Sequence, residues 1–202
     1  MAEDREHLFI GGTMRRAHGA DRLTVIDPAT EQPYGSVPDA DGADVDAAVE
    51  AAREAFRRPG WADLEPAERA VFIDRLADAL ERRSDVLGPL VTHENGTPIA
   101  QSMVFNGLVP LFTLRYFADL ARGLRREEIR PEGENHAIVR KEPVGVCALI
   151  VPWNYPQILL SHKLGPASSR DAPWSSSRRR RPRSTPTCSR RRSRRRASRR
   201  AS

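Results

Sequence analysis

The chain has 202 residues, the length of one ordinary domain, and its 39% hydrophobic content is enough for a core. Its net charge of +6 is unevenly distributed. Residues 168–202 contain 14 Arg, 10 Ser and one Asp, a local charge of +13, which leaves −7 for the first 167 residues. The pI of about 10.1 therefore reflects the C-terminal segment and indicates nothing about the partners of the acidic part.

Several classes of protein are excluded by this composition. No stretch approaches the ~18 apolar residues of a membrane span, and the charged residues 1–7 do not begin a secretory signal, so we expect no membrane partner and a cytoplasmic location. Cys147 lies in an apolar run and Cys188 in the Arg/Ser segment, so a disulfide is not expected. The five His residues lack metal-ligand spacing, and we expect no metal site.

The chain begins with a small β element. Residues 8–10 end at Gly11-Gly12, and residues 23–26 end at Asp27-Pro28, which predicts two short strands that run into turns. Apolar residues then recur at three- and four-residue steps from Ala43. This spacing predicts an amphipathic helix that ends before Pro59, with Asp41 or Asp44 as its N-terminal cap.

Two more helical stretches follow. One begins near Pro66 and ends at Gly96 and Pro98. Its predicted buried residues are Val71, Phe72, Leu76, Leu80, Val86, Leu87 and Leu90. The next covers residues 100–124, and Pro110 is expected to bend or interrupt it. Its apolar positions are Val104, Leu108, Leu111, Leu114, Phe117 and Leu120.

The pattern then changes to that of strands. Ala137 and Val139 share one side of a predicted strand, and residues 143–151 form a continuous apolar run that ends at Pro152. A run that is apolar on both faces is typical of a central strand in a parallel sheet with helices on each side. Residues 156–166 are predicted to be the helix that follows, with Leu159, Leu160 and Leu164 facing the sheet.

Residues 152–156 read Pro-Trp-Asn-Tyr-Pro, at the point where the apolar strand passes into the helix. Ligands of open α/β sheets bind at the carboxyl ends of strands, so an amide and a large aromatic side chain there favour a ligand site. Pro and Asn are also ordinary turn residues, and on spacing alone a simple turn explains the segment equally well.

The motif resembles the aldehyde dehydrogenase superfamily. Residues 140–146 read R-K-E-P-V-G-V and residues 151–156 read V-P-W-N-Y-P, similar to the family's E-P-x-G-V followed by P-W-N-F/Y-P. Residues 9–12, 27–30 and 94–98, which read F-I-G-G, D-P-A-T and E-N-G-T-P, together with Trp61, agree with the same resemblance. It covers the chain from about Leu8 to Ala167.

This resemblance implies an α/β fold made of N-terminal helices and the beginning of an NAD(P)-binding Rossmann-like domain, incomplete in this chain. It also implies oxidation of an aldehyde substrate to a carboxylic acid with NAD or NADP, in a homo-oligomer. In such a reaction a Cys thiolate attacks the carbonyl and a Glu activates water. By resemblance, Asn154 is the catalytic donor to the oxyanion, and Ile150, Val151, Pro152, Trp153 and Asn154 line the cofactor site.

The chain departs from the family at its C-terminal part. In the family the catalytic Cys and Glu follow far beyond the P-W-N-F/Y-P motif, whereas 46 residues follow Pro156 here. Cys147 precedes the motif in an apolar run, and Cys188 lies in the Arg/Ser segment, so neither is expected to replace the nucleophile. We therefore expect this chain to be a truncated and inactive form.

Residues 168–202 are predicted to be a disordered tail, separate from the dehydrogenase-like part at 1–167, because Arg and Ser bury little apolar surface. Fourteen arginines favour non-specific binding of nucleic acid through phosphates. A frameshift is the interpretation we prefer. Read one base out of frame with suitable synonymous codons, residues 171–191 decode to G-C-T-V-V-L-K-P-S-P-E-T-P-L-D-T-Y-L-L-A-E, which resembles the family's continuation K-P-S/A-x-x-T-P.

Overall fold

The computed structural model describes four stretches of the chain, residues 5–61, 63–143, 145–169 and 174–178. No helix in these stretches is both long enough and apolar enough to cross a bilayer.

Two antiparallel hairpins form the N-terminal β element. Strands β1 (His7–Ile10) and β2 (Thr13–Arg16) make the first, and β3 (Arg22–Ile26) and β4 (Pro33–Pro38) make the second. The two predicted strands are confirmed as β1 and β3. The partner strands β2 and β4 were not predicted, because β2 is too polar and β4 too rich in Pro and Gly to show an alternation of apolar residues.

Helix α1 (Gly42–Arg57) is confirmed, and both predicted caps contribute to its start. The Asp41 side chain accepts from the Asp44 backbone N at 3.1 Å, and an Asp44 carboxylate oxygen accepts from the Asp41 backbone N at 3.3 Å. This reciprocal arrangement satisfies donors that a helix N-terminus would otherwise leave without partners. It fixes the point where the β element passes into the helices.

The stretch after Pro66 forms two helices, α2 (Pro66–Glu81) and α3 (Ser84–Asn95). The predicted buried face of α2 was partly wrong, since Val71 and Phe72 are exposed. Val86 on α3 is also exposed. The buried residues of α2 are instead Pro66, Arg69, Ala70, Ile73 and Ala77. Ala70 and Ala77 have no exposed surface, and their small side chains permit the close approach of α2 to a neighbouring helix.

The next helical stretch is interrupted as expected near Pro110. It consists of α4 (Ile99–Ser102), a π-helical turn over Met103–Leu108, and α5 (Val109–Gly123). Pro has no backbone N–H, and the wider π turn lies directly before it. Leu111 and Leu114 are buried as predicted, whereas Val104, Leu108 and Leu120 remain substantially exposed.

Strands β5 (Glu127–Glu132) and β6 (Asn135–Arg140) form a third antiparallel hairpin, with Gly133 at a φ of 60° in its turn. Ala137 and Val139 are both half-buried, which confirms that they share one side of β6.

A β-α-β unit completes the described chain. Strand β7 (Cys147–Val151) is followed by α6 (Pro156–Ser169) and by β8 (Trp174–Arg178), which pairs with β7 in parallel. The predicted apolar run began earlier, at residue 143, and residue 144 within it lies outside the described residues. One face of β7 is exposed at Ala148 and Ile150, so in the described chain helices cover one face and not both.

The segment from residue 168 differs from its prediction at two places. Helix α6 continues through Ser168 and Ser169, which are buried, and β8 forms within the Arg/Ser segment. Parallel pairing uses backbone groups, so a polar sequence can add a strand beside an apolar one. The disorder expected for the remaining residues, 170–173 and 179–202, falls outside the described residues.

The core lies where α2, α5, α6 and β7 meet. Its buried members are Ala70, Ile73, Ala77, Leu114, Ala118, Ala121, Leu149 and Leu164. Leu160 packs against this cluster with Leu164, as expected for α6, and Leu159 is half-buried. The core therefore supports one face of β7 directly below the loop that follows the strand.

Candidate functional site

The predicted site residues lie together where β7 ends and α6 begins. Ile150 is 54% exposed and Trp153 is 40% exposed, and Pro152 and Asn154 are also exposed. Val151 is the exception, because its side chain is 2% exposed and faces the core. Four of the five residues thus present side chains to solvent at the carboxyl end of a strand, and Val151 can contribute only its backbone there.

The start of α6 is held by a buried amide on the π-helical turn. Asn106 is 1% exposed, and its Oδ1 accepts from the backbone N of Gln157 at 3.4 Å, while its Nδ2 donates to Ser102 Oγ at 3.2 Å. Pro156 occupies the first position of α6, where its missing N–H has no cost. The Tyr155 ring also meets Phe105 edge to face, with the ring centroids 5.3 Å apart.

A second amide holds the loop from the other side. Asn95, the last residue of α3, donates from Nδ2 to the backbone oxygens of Trp153 and Asn154, at 3.1 and 3.0 Å. Its Oδ1 accepts from the backbone N of Thr97 at 2.9 Å and from Thr97 Oγ1 at 2.7 Å. The E-N-G-T-P segment and the P-W-N-Y-P loop are therefore in direct contact.

A histidine and a buried carboxylate connect the same end of α3 to the N-terminal β element. Nδ1 of His93 lies 2.7 Å from Oδ2 of Asp27, and the Tyr34 ring stacks on the imidazole with the centroids 4.8 Å apart. Asp27 is 7% exposed and also accepts from the backbone N of Ala29 at 2.8 Å. The hydrogen bond with His93 is the main reason why the pKa of Asp27 lies below its usual value.

Gly96 follows Asn95 in the left-handed region, with a φ of 78°, and caps α3. A Cβ built on this residue would lie 2.8 Å from Cγ of Pro28. The D-P-A-T turn, the E-N-G-T-P segment and the P-W-N-Y-P loop thus form one continuous set of contacts.

The structure shows which residues hold the P-W-N-Y-P loop in place, a role that the resemblance did not assign to any residue. Asn95, Asn106 and the pair Asp27–His93 support the loop, yet only Asn95 and Asp27 stood in quoted motifs, and neither carried a role. Asn106 is an amide within an apolar helical stretch, and such a buried polar residue generally has hydrogen-bond partners.

Cys147 lies at the start of β7, half-buried against the core, with its Sγ 3.9 Å from the backbone oxygen of Gly145. This position agrees with the prediction that it belongs to the packing of the strand. Cys188 lies outside the described residues.

A separate cleft of about 880 Å³ lies beside the β5–β6 hairpin. Its charged lining residues are Asp63, Glu65, Arg125, Arg126, Glu127, Arg140, Lys141 and Glu142. Charges of both signs neighbour each other there, with Arg140 Nε 2.7 Å from Glu127 Oε1 and Arg126 Nη1 3.7 Å from Glu65 Oε1. None of residues 150–156 contributes to this cleft.

Comparison with known proteins decides the family. The model of the aldehyde dehydrogenase family matches residues 15–169, more than half of the chain. The chain belongs to the aldehyde dehydrogenase family. This confirms the resemblance on which the assignment of the loop depends.

Individual relatives agree with this membership. The chain is similar to a geranial dehydrogenase from Castellaniella defragrans, with 40% identity over 168 residues, 83% of this chain and 35% of the relative. It is similar to mouse aldehyde dehydrogenase, cytosolic 1, with 34% identity over 163 residues, 80% of this chain and 32% of the relative. The chain therefore spans about a third of the length of these relatives.

A solved structure gives the same result for the fold. The Mycobacterium tuberculosis aldehyde dehydrogenase complexed with NAD+ superimposes with a TM-score of 0.81 and 35% sequence identity. The match covers 88% of this chain and 36% of that structure. The predicted α/β fold, with N-terminal helices and the beginning of the family's cofactor-binding domain, is confirmed.

Proposed function

We propose that this chain derives from an enzyme that oxidises an aldehyde to a carboxylic acid and reduces NAD or NADP. The observation that carries the proposal is the exposed P-W-N-Y-P loop, held at the carboxyl end of β7 by Asn95 and at the start of α6 by Asn106. The family assignment supports it, as do a relative named geranial dehydrogenase and a structural neighbour complexed with NAD+.

The loop fits a nicotinamide cofactor on the face of β7 opposite the core. Ile150 projects from that face, and Pro152 and Trp153 are exposed directly after the strand, so these three residues offer an apolar surface to a ring, while Val151 offers only its backbone. Bound cofactor would supply the hydride acceptor. Asn154, exposed beside this surface, would donate its side-chain N–H to the carbonyl oxygen of the aldehyde as negative charge develops there.

We further propose that the Arg/Ser segment results from a one-base shift of reading frame, with the family-like part ending near residue 167. A one-base shift changes which residues are encoded but hardly changes how many. A strand of the original reading frame would therefore lie the same number of residues after β7. In the decoding above, β8 (Trp174–Arg178) falls on the V-V-L-K-P portion, which begins with three apolar residues, two of them β-branched and suited to a strand. Its parallel pairing with β7 supports the same interpretation.

The 202-residue chain is proposed to be inactive, because Cys147 packs within β7 and, among the described residues, none assigned to the site supplies a nucleophile or a base. Purified chain mixed with NAD and a panel of aldehydes should produce no NADH above a blank. The proposal would be contradicted if this chain oxidised an aldehyde and its Asn154→Ala variant did not.

The nucleotide sequence tests the frameshift separately. One inserted or deleted base near codons 167–171 should open a frame that encodes the decoded continuation, and the product of the corrected gene should oxidise aldehydes. In that product Asn154→Ala should lower kcat by about a hundredfold or more, as expected for loss of one oxyanion donor. An Arg-encoding frame with stop codons in both others would contradict the frameshift.

Binding of nucleic acid is the second candidate function, favoured by 14 Arg in a segment that follows an acidic body. Such binding would be independent of sequence and weaken steeply with salt. A fluorescence titration with random single strands should therefore show binding by the full chain that is lost when residues 179–202 are removed, since these hold 12 of the arginines. Equal binding by the shortened chain would contradict this role.

We also propose a cytoplasmic location and a homo-oligomeric state for the intact enzyme. The first is supported by a relative named a cytosolic aldehyde dehydrogenase, the second by the resemblance alone.

A further inference from the structure

The side chain of Asn95 joins two segments that are 58 residues apart. Its single NH2 group donates to two consecutive backbone oxygens, those of Trp153 and Asn154, at 3.1 and 3.0 Å. Trp153 and Asn154 themselves are exposed. Two hydrogen bonds from one amide fix the path of the main chain at the loop position that carries the proposed oxyanion donor.

The orientation of the Asn95 amide is set by chemistry. The backbone N and the hydroxyl of Thr97 both donate to its Oδ1, at 2.9 and 2.7 Å. Backbone oxygens can only accept, so the nitrogen must face the loop and the oxygen must face Thr97. Gly96, at a φ of 78°, turns the chain between Asn95 and Thr97 and makes this short-range contact possible.

The end of α3 that carries Asn95 is held in place by a contact with the N-terminal β element. It ends α3, and two residues earlier His93 lies 2.7 Å from the buried carboxylate of Asp27. A donor on the end of a helix that is tied to a second element holds its target more rigidly than a donor on a free loop.

We propose that Asn95 is the positioning residue of the P-W-N-Y-P loop, which holds the main chain of Trp153 and Asn154 so that the Asn154 amide is presented to the substrate carbonyl. This inference rests on the proposed function of Asn154. Asn95 contacts neither substrate nor cofactor, and it acts through the loop.

The variant Asn95→Asp separates this role from a purely local one. Asp keeps an oxygen for both donors of Thr97 but replaces the NH2 group with an acceptor that faces two backbone oxygens. A residue needed only to complete the turn after α3 would tolerate the change. A residue needed to hold the loop would not.

The test is amide hydrogen exchange and ¹⁵N relaxation on the full 202-residue chain, with urea unfolding as the measure of global stability. Asn95→Asp should speed exchange at residues 153–155 by at least about tenfold and increase the mobility of the Asn154 side-chain NH2 group, as expected from the loss of two hydrogen bonds. Thr97→Val should have a smaller effect, because it keeps both donations to the loop. Gln101→Glu, an exposed residue on α4, controls for the added negative charge.

Unchanged exchange and mobility at residues 153–155 in Asn95→Asp would overturn the proposal, as would changes of equal size across the whole chain. Neither measurement depends on turnover. A failure of the positioning role is therefore distinguishable from a failure of the proposed dehydrogenase activity.

Discussion

The carboxylate of Asp27 and the imidazole of His93 lie 2.7 Å apart although 66 residues separate them in sequence. Asp27 directly follows β3 and His93 lies in the last turn of α3, so this contact fastens the N-terminal β element to the helices. It also supports the end of α3 from which Asn95 reaches the P-W-N-Y-P loop.

The first prediction concerns the pH dependence of this contact. The pKa of Asp27 is lowered in the folded chain, chiefly by His93, so its stabilising contribution is present above the ordinary value of 3.8 and is lost as pH falls through the lower folded value. The variant Asp27→Asn should therefore be less stable than the wild type near neutral pH, and the difference should shrink below pH 3.8. Urea unfolding at a series of pH values measures it.

The matched control for that experiment is Asp46→Asn, which removes an exposed carboxylate from α1. It should change the unfolding free energy little at any pH. A difference between wild type and Asp27→Asn that stays constant from pH 7 to pH 3 would show that the ionised carboxylate does not matter.

The second prediction concerns Gly96. The variant Gly96→Ala places a Cβ in the left-handed region and 2.8 Å from the Pro28 ring, so unfolding free energy should fall by about 2 kcal/mol or more. Gly133→Ala is the control, because its φ of 60° is similar but nothing lies within 4 Å of the added Cβ. It should cost about 1 kcal/mol, the penalty of a side chain in the left-handed region. Equal losses in the two variants would rule out the contact with Pro28.

The third prediction concerns the approach of α6 to α5. A Cβ on Gly165 would lie 2.7 Å from Cγ of Phe117, so Gly165→Ala should force the helices apart and destabilise by about 1–3 kcal/mol. Gly123→Ala, at the end of α5, meets nothing within 4 Å and should be neutral or slightly stabilising. Thermal unfolding of both variants compares them, and a stabilised Gly165→Ala would show that the helices are further apart than the structure has them.

The fourth prediction concerns the core. Leu114 is 1% exposed between α2, α5 and α6, so Leu114→Ala should lower the unfolding free energy by about 2–5 kcal/mol. Leu120 on the same helix is 41% exposed, and Leu120→Ala should cost well under half as much. Similar losses would indicate that the face of α5 bearing Leu120 is covered in solution.

Local sequence patterns predicted helix and strand boundaries well where they depend on residues with a strong local preference, such as capping aspartates and prolines. Asp41 and Asp44 marked the start of α1, and Pro110 marked an interruption of the helix that contains it. The strand before Pro152 and the helix after Pro156 were also predicted, because each proline excludes a continued strand or marks a helix start.

Such patterns did not predict which residues of α2 are buried. Phe72 is the larger apolar side chain, yet Ala70 and Ala77 are the residues without exposure, because close contact between helices selects small side chains on the facing surface. The pattern of hydrophobic residues along one helix does not show which of its faces packs against a neighbouring helix.

The sequence by itself determined the family, the order of most elements and the loop that carries Asn154, since these depend on residues close together in the chain. Only the tertiary structure decided what supports that loop. Asn95 is 59 residues from Asn154, and Asn106 is 51 residues from Gln157. Hydrogen bonds between such distant residues form only after α3, the π-helical turn and α6 have packed, and no spacing in the sequence records that packing.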